Sequence, residues 1–201
     1  MPVGAAPVGA VPVGAGGAGC AGCPGCPGCD GSGAGCAGAP GAPGVPGVVP
    51  VERASDEELG RYRDTIDAWA DHEAATNPLI GAVERDRSLS RWYVRMHGEE
   101  KAVITLWLTL GQRTLHYESY FMPAPVEQRA ECYEYLLKAN LALFGMRFAI
   151  GAEDALYLVG QMPLTAVDGA ELDRITGSAY AYSERFFRPA MKIGFGAKFG
   201  R

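Results

Sequence analysis

The chain has 201 residues, with 18 lysines and arginines against 23 aspartates and glutamates, and a formal net charge of −5. This balance excludes the strongly basic surface that binds nucleic acid. The longest uncharged apolar run in the domain, Ala102–Leu110, is far shorter than the roughly 20 residues of a membrane-spanning helix. The N-terminus also lacks the basic region of a secretory signal. We therefore expect a cytoplasmic protein with no nucleic-acid partner and no membrane contact.

Residues 1–53 differ in composition from the rest of the chain. Residues 1–50 hold 16 of the 28 glycines, 9 of the 14 prolines and 5 of the 6 cysteines. Glycine recurs there every third residue, as in collagen, but in runs too short for a stable triple helix. Large apolar side chains are scarce, so little offsets the entropy cost of ordering this backbone. The prediction is a disordered arm, residues 1–53, followed by one domain, residues 54–201.

The arm contains cysteines at every third position, with one further cysteine at position 36. The regular set is Cys20, Cys23, Cys26 and Cys29. Thiolates at this spacing are able to hold zinc or an iron–sulfur cluster, although no folded frame or supporting hydrogen-bond donor accompanies them. The main expectation is a protein without a cofactor, and a metal or redox role for these cysteines is the alternative. The arm is alternatively upstream sequence read from a misplaced start, with the product beginning near Val49 or Val51.

The domain begins with a predicted helix and continues with a predicted meander. Ser55 and Glu58 form a capping box, and apolar residues at helical spacing carry the helix to about Glu73. The stretch Leu79–Ser90 shows no clear period. Alternation of period two then predicts three strands. They are Arg91–His97 and the two arms of a hairpin, Lys101–Met122, that turns at Gly111–Gln112.

The second half of the domain repeats this pattern on a smaller scale. A helix is predicted from Val126 to about Phe144, followed by strands Met146–Ile150 and Ala155–Met162. The apolar stripe of that helix is Val126, Ala130, Tyr133, Leu137, Leu141 and Phe144. Asp168 caps a third helix that Pro189 kinks or ends, and the tail Met191–Arg201 is rich in glycine.

These elements predict an α+β domain in the order α-β-β-β-α-β-β-α. Helices pack on a five-stranded, mainly antiparallel sheet, since meanders of this kind bury one face. The side chains predicted to form the core are Ile104, Leu106, Leu108, Leu110, Phe148, Leu156 and Leu158.

No set of residues in the domain has the pattern of a catalytic or metal site. His72, His97 and His116 lie in no ligand motif, Cys132 is a lone thiol on a predicted helix, and phosphate-binding and nucleophile motifs are missing. The domain is therefore predicted not to be an enzyme.

The other face of the predicted sheet carries a mixed aromatic and charged surface. The residues predicted to bind a partner are Tyr93, Arg95, Trp107, His116, Glu118 and Tyr120. Aromatic and arginine side chains are typical of protein-binding hot spots, and an arginine and a glutamate on this face are able to pair across strands. The alternative is that a further helix or a subunit covers this face, in which case Trp107 only packs.

From Trp92 to Phe195 the chain resembles the bacterial YbjN-domain family of sensory transduction regulators. The residues that carry the resemblance are the hairpin Val103–Glu118, Met122–Pro125, Tyr133–Asn140 and Asp154–Leu164. The resemblance implies a fold similar to class I type III secretion chaperones, a protein or peptide partner, and a homodimer. It implies no active site, and the cysteine arm is not part of the family pattern.

Overall fold

The computed structural model describes residues 53–196. The predicted metal ligands Cys20, Cys23, Cys26 and Cys29 lie outside the described residues, together with nearly all of the predicted arm and residues 197–201, so the metal hypothesis stays a prediction. In chain order the elements are α1 (Asp56–Thr76), β1 (Ile80–Asp86), β2 (Arg91–His97), β3 (Val103–Leu110), β4 (Thr114–Met122), α2 (Arg129–Ala139), β5 (Arg147–Ile150), β6 (Leu156–Pro163), a 3₁₀ turn (Leu164–Ala166) and α3 (Gly169–Phe195).

The strands form one sheet in the order β1-β2-β3-β4-β6-β5, and every neighbouring pair is antiparallel. The predicted α+β class with helices on an antiparallel sheet is confirmed, but the sheet has six strands and the prediction of five is wrong. The missed strand, β1, lies in the stretch Leu79–Ser90. A register shift between Ile80 and Ala82 interrupts its alternation, and a sheet edge requires few apolar side chains.

The inner face of the sheet carries the core, and all seven residues predicted for it are buried. The three helices pack on this face. Small side chains at Ala179, Ser183 and Ala190 are buried along α3, which lets that helix lie close to the strands. Near its end, a Cβ on Gly194 would lie 2.7 Å from the Cβ of Pro125. The core is therefore closed by close approach of α3 as much as by large side chains.

The second helix is shorter than predicted and buries a different stripe. It spans Arg129–Ala139 rather than Val126–Phe144, because the backbone N–H groups of Val126 and Glu127 donate to the Gly194 carbonyl instead of starting a helical turn. Cys132 and Leu136 are its buried residues. Of the predicted stripe, only Tyr133 is partly buried and packed against the core. Two stripes of similar apolarity share this helix, and contact with α3 selects between them.

The third helix does not end at Pro189 but continues to Phe195, so the first part of the predicted glycine-rich tail is helical. Ala190, Met191 and Gly194 are buried beyond the proline, and this packing offsets the lost backbone hydrogen bond.

A glutamate of α3 holds the turn between β2 and β3. The Glu184 carboxylate accepts hydrogen bonds from the N–H groups of Glu99, Glu100 and Lys101 at 2.9–3.1 Å. This carboxylate ties the β2–β3 turn to the helix layer.

The first helix, which extends to Thr76 rather than to about Glu73, is attached to the sheet through Asp67. Its carboxylate accepts from Arg85 Nε at 2.8 Å, Arg87 Nη1 at 2.7 Å and Trp92 Nε1 at 2.7 Å. Burial by itself raises the pKa of the Asp67 carboxyl, but the hydrogen bonds from Trp92, Arg87 and Arg85 outweigh it and hold that pKa below its usual value. Asp67 therefore joins α1 to both β1 and β2 as a charged acceptor.

Candidate functional site

The outer face of the sheet carries the predicted partner-binding residues, and three of them lie directly beside one another. Tyr93, Trp107 and Glu118 lie side by side on β2, β3 and β4, in direct register. The rings of Tyr93 and Trp107 meet edge to face, with centroids 6.0 Å apart and an interplanar angle of 76°. Such pairs are favoured because the positive edge of one ring meets the negative face of the other. We use the name outer-face row for the surface made by these three residues and the outer-face side chains directly beside them.

Trp107 is held in place from a second side by Arg91. The Arg91 guanidinium carbon lies 5.6 Å from the centroid of the Trp107 ring, and Arg91 Nε donates to Thr109 Oγ1 at 2.8 Å. The indole is partly buried rather than covered. Sequence reasoning missed Arg91, although its period-two spacing from Tyr93 placed it on the same face. The ring is thus oriented by its neighbours and still open to a ligand.

Arg95 and His116 flank this row. The sequence suggested that an arginine and a glutamate of this face pair across strands, and the observed partner of Arg95 is a different glutamate. Arg95 pairs with Glu84 of β1, with Arg95 Nη1 3.1 Å from Glu84 Oε1, and not with Glu118. Sequence reasoning left β1 unassigned and so had no partner on that side of β2. His116 lies opposite Thr109, and its Nε2 is 2.8 Å from Thr114 Oγ1 on the same strand.

A second aromatic group lies at the far end of β4. The rings of Tyr120 and Tyr157 meet edge to face at 5.6 Å, and Lys101 Nζ lies 5.7 Å from the Tyr120 ring. Burial lowers the pKa of the Lys101 ammonium, and the negative charge of Glu184 opposes that shift. The aromatic and charged neighbours of Tyr120 are thus Tyr157 and Lys101, which the sequence did not single out. Tyr120 is separate from the Tyr93–Trp107–Glu118 centre.

The outer-face row has the chemistry of a contact surface. It combines partly exposed rings with arginine and glutamate side chains, which is the composition of protein-binding hot spots and their polar rims.

Within residues 53–196, no group of three or more histidine, cysteine, aspartate or glutamate side chains is arranged to hold a metal ion. Over the same residues, none of the helices has both the length and the apolar character needed to cross a bilayer.

A second surface appears where the predicted stripe of the second helix is exposed. Val126, Leu137, Leu141 and Phe144 are 75%, 64%, 91% and 70% exposed, and we call them the α2 patch. The Arg174 guanidinium lies 4.8 Å from the centroid of the Phe144 ring, which orients that ring. All four lie within residues 126–144, in α2 or in the segments directly before and after it, and exposed apolar side chains that cluster mark interaction surfaces.

Comparison with known proteins gives one family. A family model described as "YbjN: Putative bacterial sensory transduction regulator" matches residues 62–190. An uncharacterized protein of Mycobacterium tuberculosis is 33% identical over 102 residues, which are 51% of this chain and 56% of that protein. One of Mycobacterium leprae is 32% identical over 107 residues, 53% of this chain and 58% of that protein. The chain thus spans little more than half the length of the curated relatives that it matches.

Two solved structures are similar to this chain at low sequence identity. The Yersinia pestis type III secretion chaperone SycH, in complex with a stable fragment of YscM2, gives a TM-score of 0.45 at 16% identity, covering 62% of this chain and 98% of that chain. The HopA1–SchA chaperone–effector complex gives 0.47 at 14% identity, covering 68% and 99%.

Proposed function

The chain belongs to the YbjN family, and from this premise we propose that residues 54–201 form a cytoplasmic, non-enzymatic domain that binds another protein in a chaperone-like or regulatory role. The observation that carries the proposal is the unequal cover of the two faces of the sheet. Three helices cover the inner face, whereas among residues 53–196 no helix packs on the outer face around Trp107. An oriented and partly exposed tryptophan on an open sheet is an anchor for a partner.

The chemistry of the outer-face row favours a polypeptide partner. The rings of Tyr93 and Trp107 offer apolar contact area, while Arg91, Arg95 and Glu118 around them carry both signs of charge. A mixed charge suits a protein surface better than a polyanion, which needs clustered lysines and arginines. The occupant that fits is a segment of a partner protein with an apolar side chain over Trp107 and polar groups toward the arginines.

Substitution of Trp107 tests this assignment. We expect Trp107→Ala, in the full chain, to lose a crosslinked partner that the parent retains, and to weaken the affinity for that partner by at least tenfold in calorimetry, as truncation of a hot-spot residue does. Leu89→Ala is the control, because Leu89 is an exposed apolar residue in the β1–β2 turn, outside the outer-face row and the α2 patch, and should leave binding unchanged. A folded Trp107→Ala variant that keeps every partner at parental affinity would show that the outer-face row is not the docking surface.

We further propose a homodimer that forms through the α2 patch. A two-fold dimer contact uses the same patch from both subunits, so an apolar patch is complementary to its own copy. Val126, Leu137, Leu141 and Phe144 supply that apolar area on one short segment, and none of them is buried in the single chain.

The oligomeric state measured by light scattering after gel filtration tests the dimer. Leu141→Glu places a charge on the most exposed residue of the patch and should convert a dimer to a monomer without loss of helical signal. Leu89→Glu is the control, because Leu89 is an exposed leucine in the β1–β2 turn. A parent that is monomeric at all concentrations, or a Leu141→Glu variant that stays dimeric, contradicts the proposal.

A further inference from the structure

Two charged side chains of the outer-face row have no ion-pair partner within residues 53–196. They are Arg91 of β2 and Glu118 of β4, and both are partly buried. Trp107 of β3 lies between them, since Glu118 is directly opposite it and the Arg91 guanidinium lies over its ring. The row therefore has a cation on one side of an oriented aromatic ring and an anion on the other.

The Arg91 guanidinium uses one of its three nitrogens. Its Nε donates to Thr109 Oγ1, while Nη1 and Nη2 form no hydrogen bond with any described residue. Asp86 lies directly opposite Arg91 on β1, but its Oδ1 accepts from the Ser88 hydroxyl and from the N–H groups of Ser88 and Leu89. A guanidinium is a planar fork that matches a carboxylate. Arg91 therefore has two nitrogens available for the carboxylate of a ligand.

The Glu118 carboxylate is also available. Among the described residues none donates a hydrogen bond to it, and its neighbours across the ladder are Trp107 on β3 and Val159 on β6. Arg147, which follows Val159 in the same row on β5, forms no ion pair with it. Because solvent screens a partly buried charge less than an exposed one, Glu118 favours a lysine or arginine supplied by a ligand.

The separation of the two charges matches one side of a helix. Neighbouring strands lie about 4.8 Å apart and alternate residues of a strand about 6.7 Å apart. Arg91 is two strands and one alternate position from Glu118, which puts their Cα atoms roughly 12 Å apart. On a helix, residues i and i+7 share a side about 10.5 Å apart, with i+3 and i+4 between them. The two middle positions would then lie over Trp107.

An extended ligand fits this face less well than a helix does. The strands β2, β3 and β4 are internal, so each has a hydrogen-bonded strand on both sides, and their backbone groups are not free for a ligand on the face. An extended segment would leave its own N–H and C=O groups unpaired wherever the contact excludes water, which is costly. A helix pairs these groups internally, and helices commonly cover the faces of sheets.

We propose that the outer-face row binds an amphipathic helix of the partner protein, with an acidic residue at i, apolar residues at i+3 and i+4, and a basic residue at i+7. Arg91 pairs with the acidic residue and Glu118 with the basic one. Tyr93 and Trp107 contact the apolar residues. This inference rests on the proposed protein-binding function, because it names the class of segment that occupies the same surface. The rings supply apolar contact area, and the two charges select which helix binds.

Calorimetry of the full chain with three synthetic peptides tests the charge pattern. Each peptide is capped, alanine-rich and about 20 residues long, which is enough to form a helix in water, and has leucine at i+3 and i+4. Positions i and i+7 carry glutamate and lysine in the first peptide, glutamine twice in the second and lysine twice in the third. The first should bind at least tenfold more tightly than the others, because it alone pairs both charges. If it does not bind, or if the glutamine peptide binds equally well, the proposal is overturned.

Substitution of Arg91 should change which peptide is preferred. Arg91→Glu leaves two acidic groups beside Trp107, so this variant should bind the lysine–lysine peptide at least tenfold more tightly than the glutamate–lysine peptide. Lys192→Glu makes the same change of charge at an exposed position of α3 and should keep the parental order. A simple loss of packing on Trp107 would weaken all three peptides alike. An Arg91→Glu variant that is folded by circular dichroism and keeps the parental order contradicts the proposal.

The crosslinked partner, assayed beside the peptides, separates this inference from the proposed function. If Trp107→Ala loses the partner but Arg91→Glu and Glu118→Lys bind it at parental affinity, the protein-binding function stands and the charged helix is wrong. If Trp107→Ala keeps the partner, both are wrong. Loss of the partner in all three variants, with Lys192→Glu at parental affinity, supports both.

Discussion

The two faces of β3 show how one strand separates stability from recognition. Leu106 on the inner face is fully buried. On the outer face, Val103 is 51% exposed, and Trp107, which follows Leu106 in the chain, is only partly buried. The alternation of the strand assigns each residue to a face, but the helices decide what each face does. Where α3 covers the sheet, side chains exclude water and stabilise the fold. Where no described helix lies, similar side chains remain available for contact. The comparison teaches that burial here depends on the helix layer rather than on the strand.

The largest expected effect is on the inner face. Leu106→Ala should lower the free energy of unfolding by about 2–5 kcal/mol, because it removes buried methyl groups and leaves a cavity in a closed core. Guanidinium unfolding followed by circular dichroism measures this loss. A cost of less than about 1 kcal/mol would mean that the inner face is not the closed core described above.

The next effect concerns the attachment of α1 to the inner side of the sheet. Asp67→Asn should cost about 1.5–3 kcal/mol at neutral pH, the range for hydrogen bonds to a charged group. Asp64→Asn is the control and should cost little. Because folding lowers the pKa of Asp67, its stabilisation is full above the unfolded pKa of about 3.9 and is lost as pH falls through the folded pKa. The difference between parent and variant should therefore shrink in acid, and a constant difference from pH 7 to pH 2 would contradict this assignment.

A smaller loss of stability is expected on the outer face. Trp107→Ala should cost about 1 kcal/mol, since it removes the edge-to-face contact with Tyr93 and the contact with Arg91 but opens no closed cavity. The same unfolding experiment applies. Placed beside Leu106→Ala, this variant sharpens the comparison, because the two residues are adjacent in the chain. Equal losses at the two positions would mean that Trp107 is core packing and that another element covers the outer face.

The smallest effect tests the close approach of α3 to the inner face. Ser183 is fully buried and its Oγ has no hydrogen-bond partner among the described residues. Ser183→Ala should leave stability unchanged or raise it by up to about 1 kcal/mol, because it removes an unpaired hydroxyl. Ser178→Ala on the same helix corrects for helix propensity. A loss above about 1 kcal/mol relative to that control would indicate a bound water or another partner for the Ser183 hydroxyl.

Much of the fold was accessible from local pattern, and the exceptions have identifiable causes. The alternation in Val103–Leu110 identifies both faces of β3, and the capping box at Ser55 and Glu58 is present in the structure. By contrast, β1 was missed because a register shift breaks its alternation. The predicted pairing of an arginine with a glutamate failed for the same reason, since the Glu84 partner of Arg95 lies on that missed strand.

The candidate sites show the same division. The outer-face row could be assembled from the sequence, because period two places Tyr93 and Trp107 on one side of adjacent strands. The α2 patch belongs to the stripe predicted to be apolar and inward, but the structure exposes it and buries Cys132 and Leu136 instead.

The sequence by itself determined the class of the domain, the inner core and the face that carries Trp107, because these follow from hydrogen-bonded periodicities of 2.0 and 3.6 residues along the backbone. Tertiary structure alone decided the sixth strand, the stripe that α2 buries and the course of α3 past Pro189. Each of these depends on contacts between segments distant in the chain, and such contacts are selected by the free energy of the whole packed domain rather than by any local pattern.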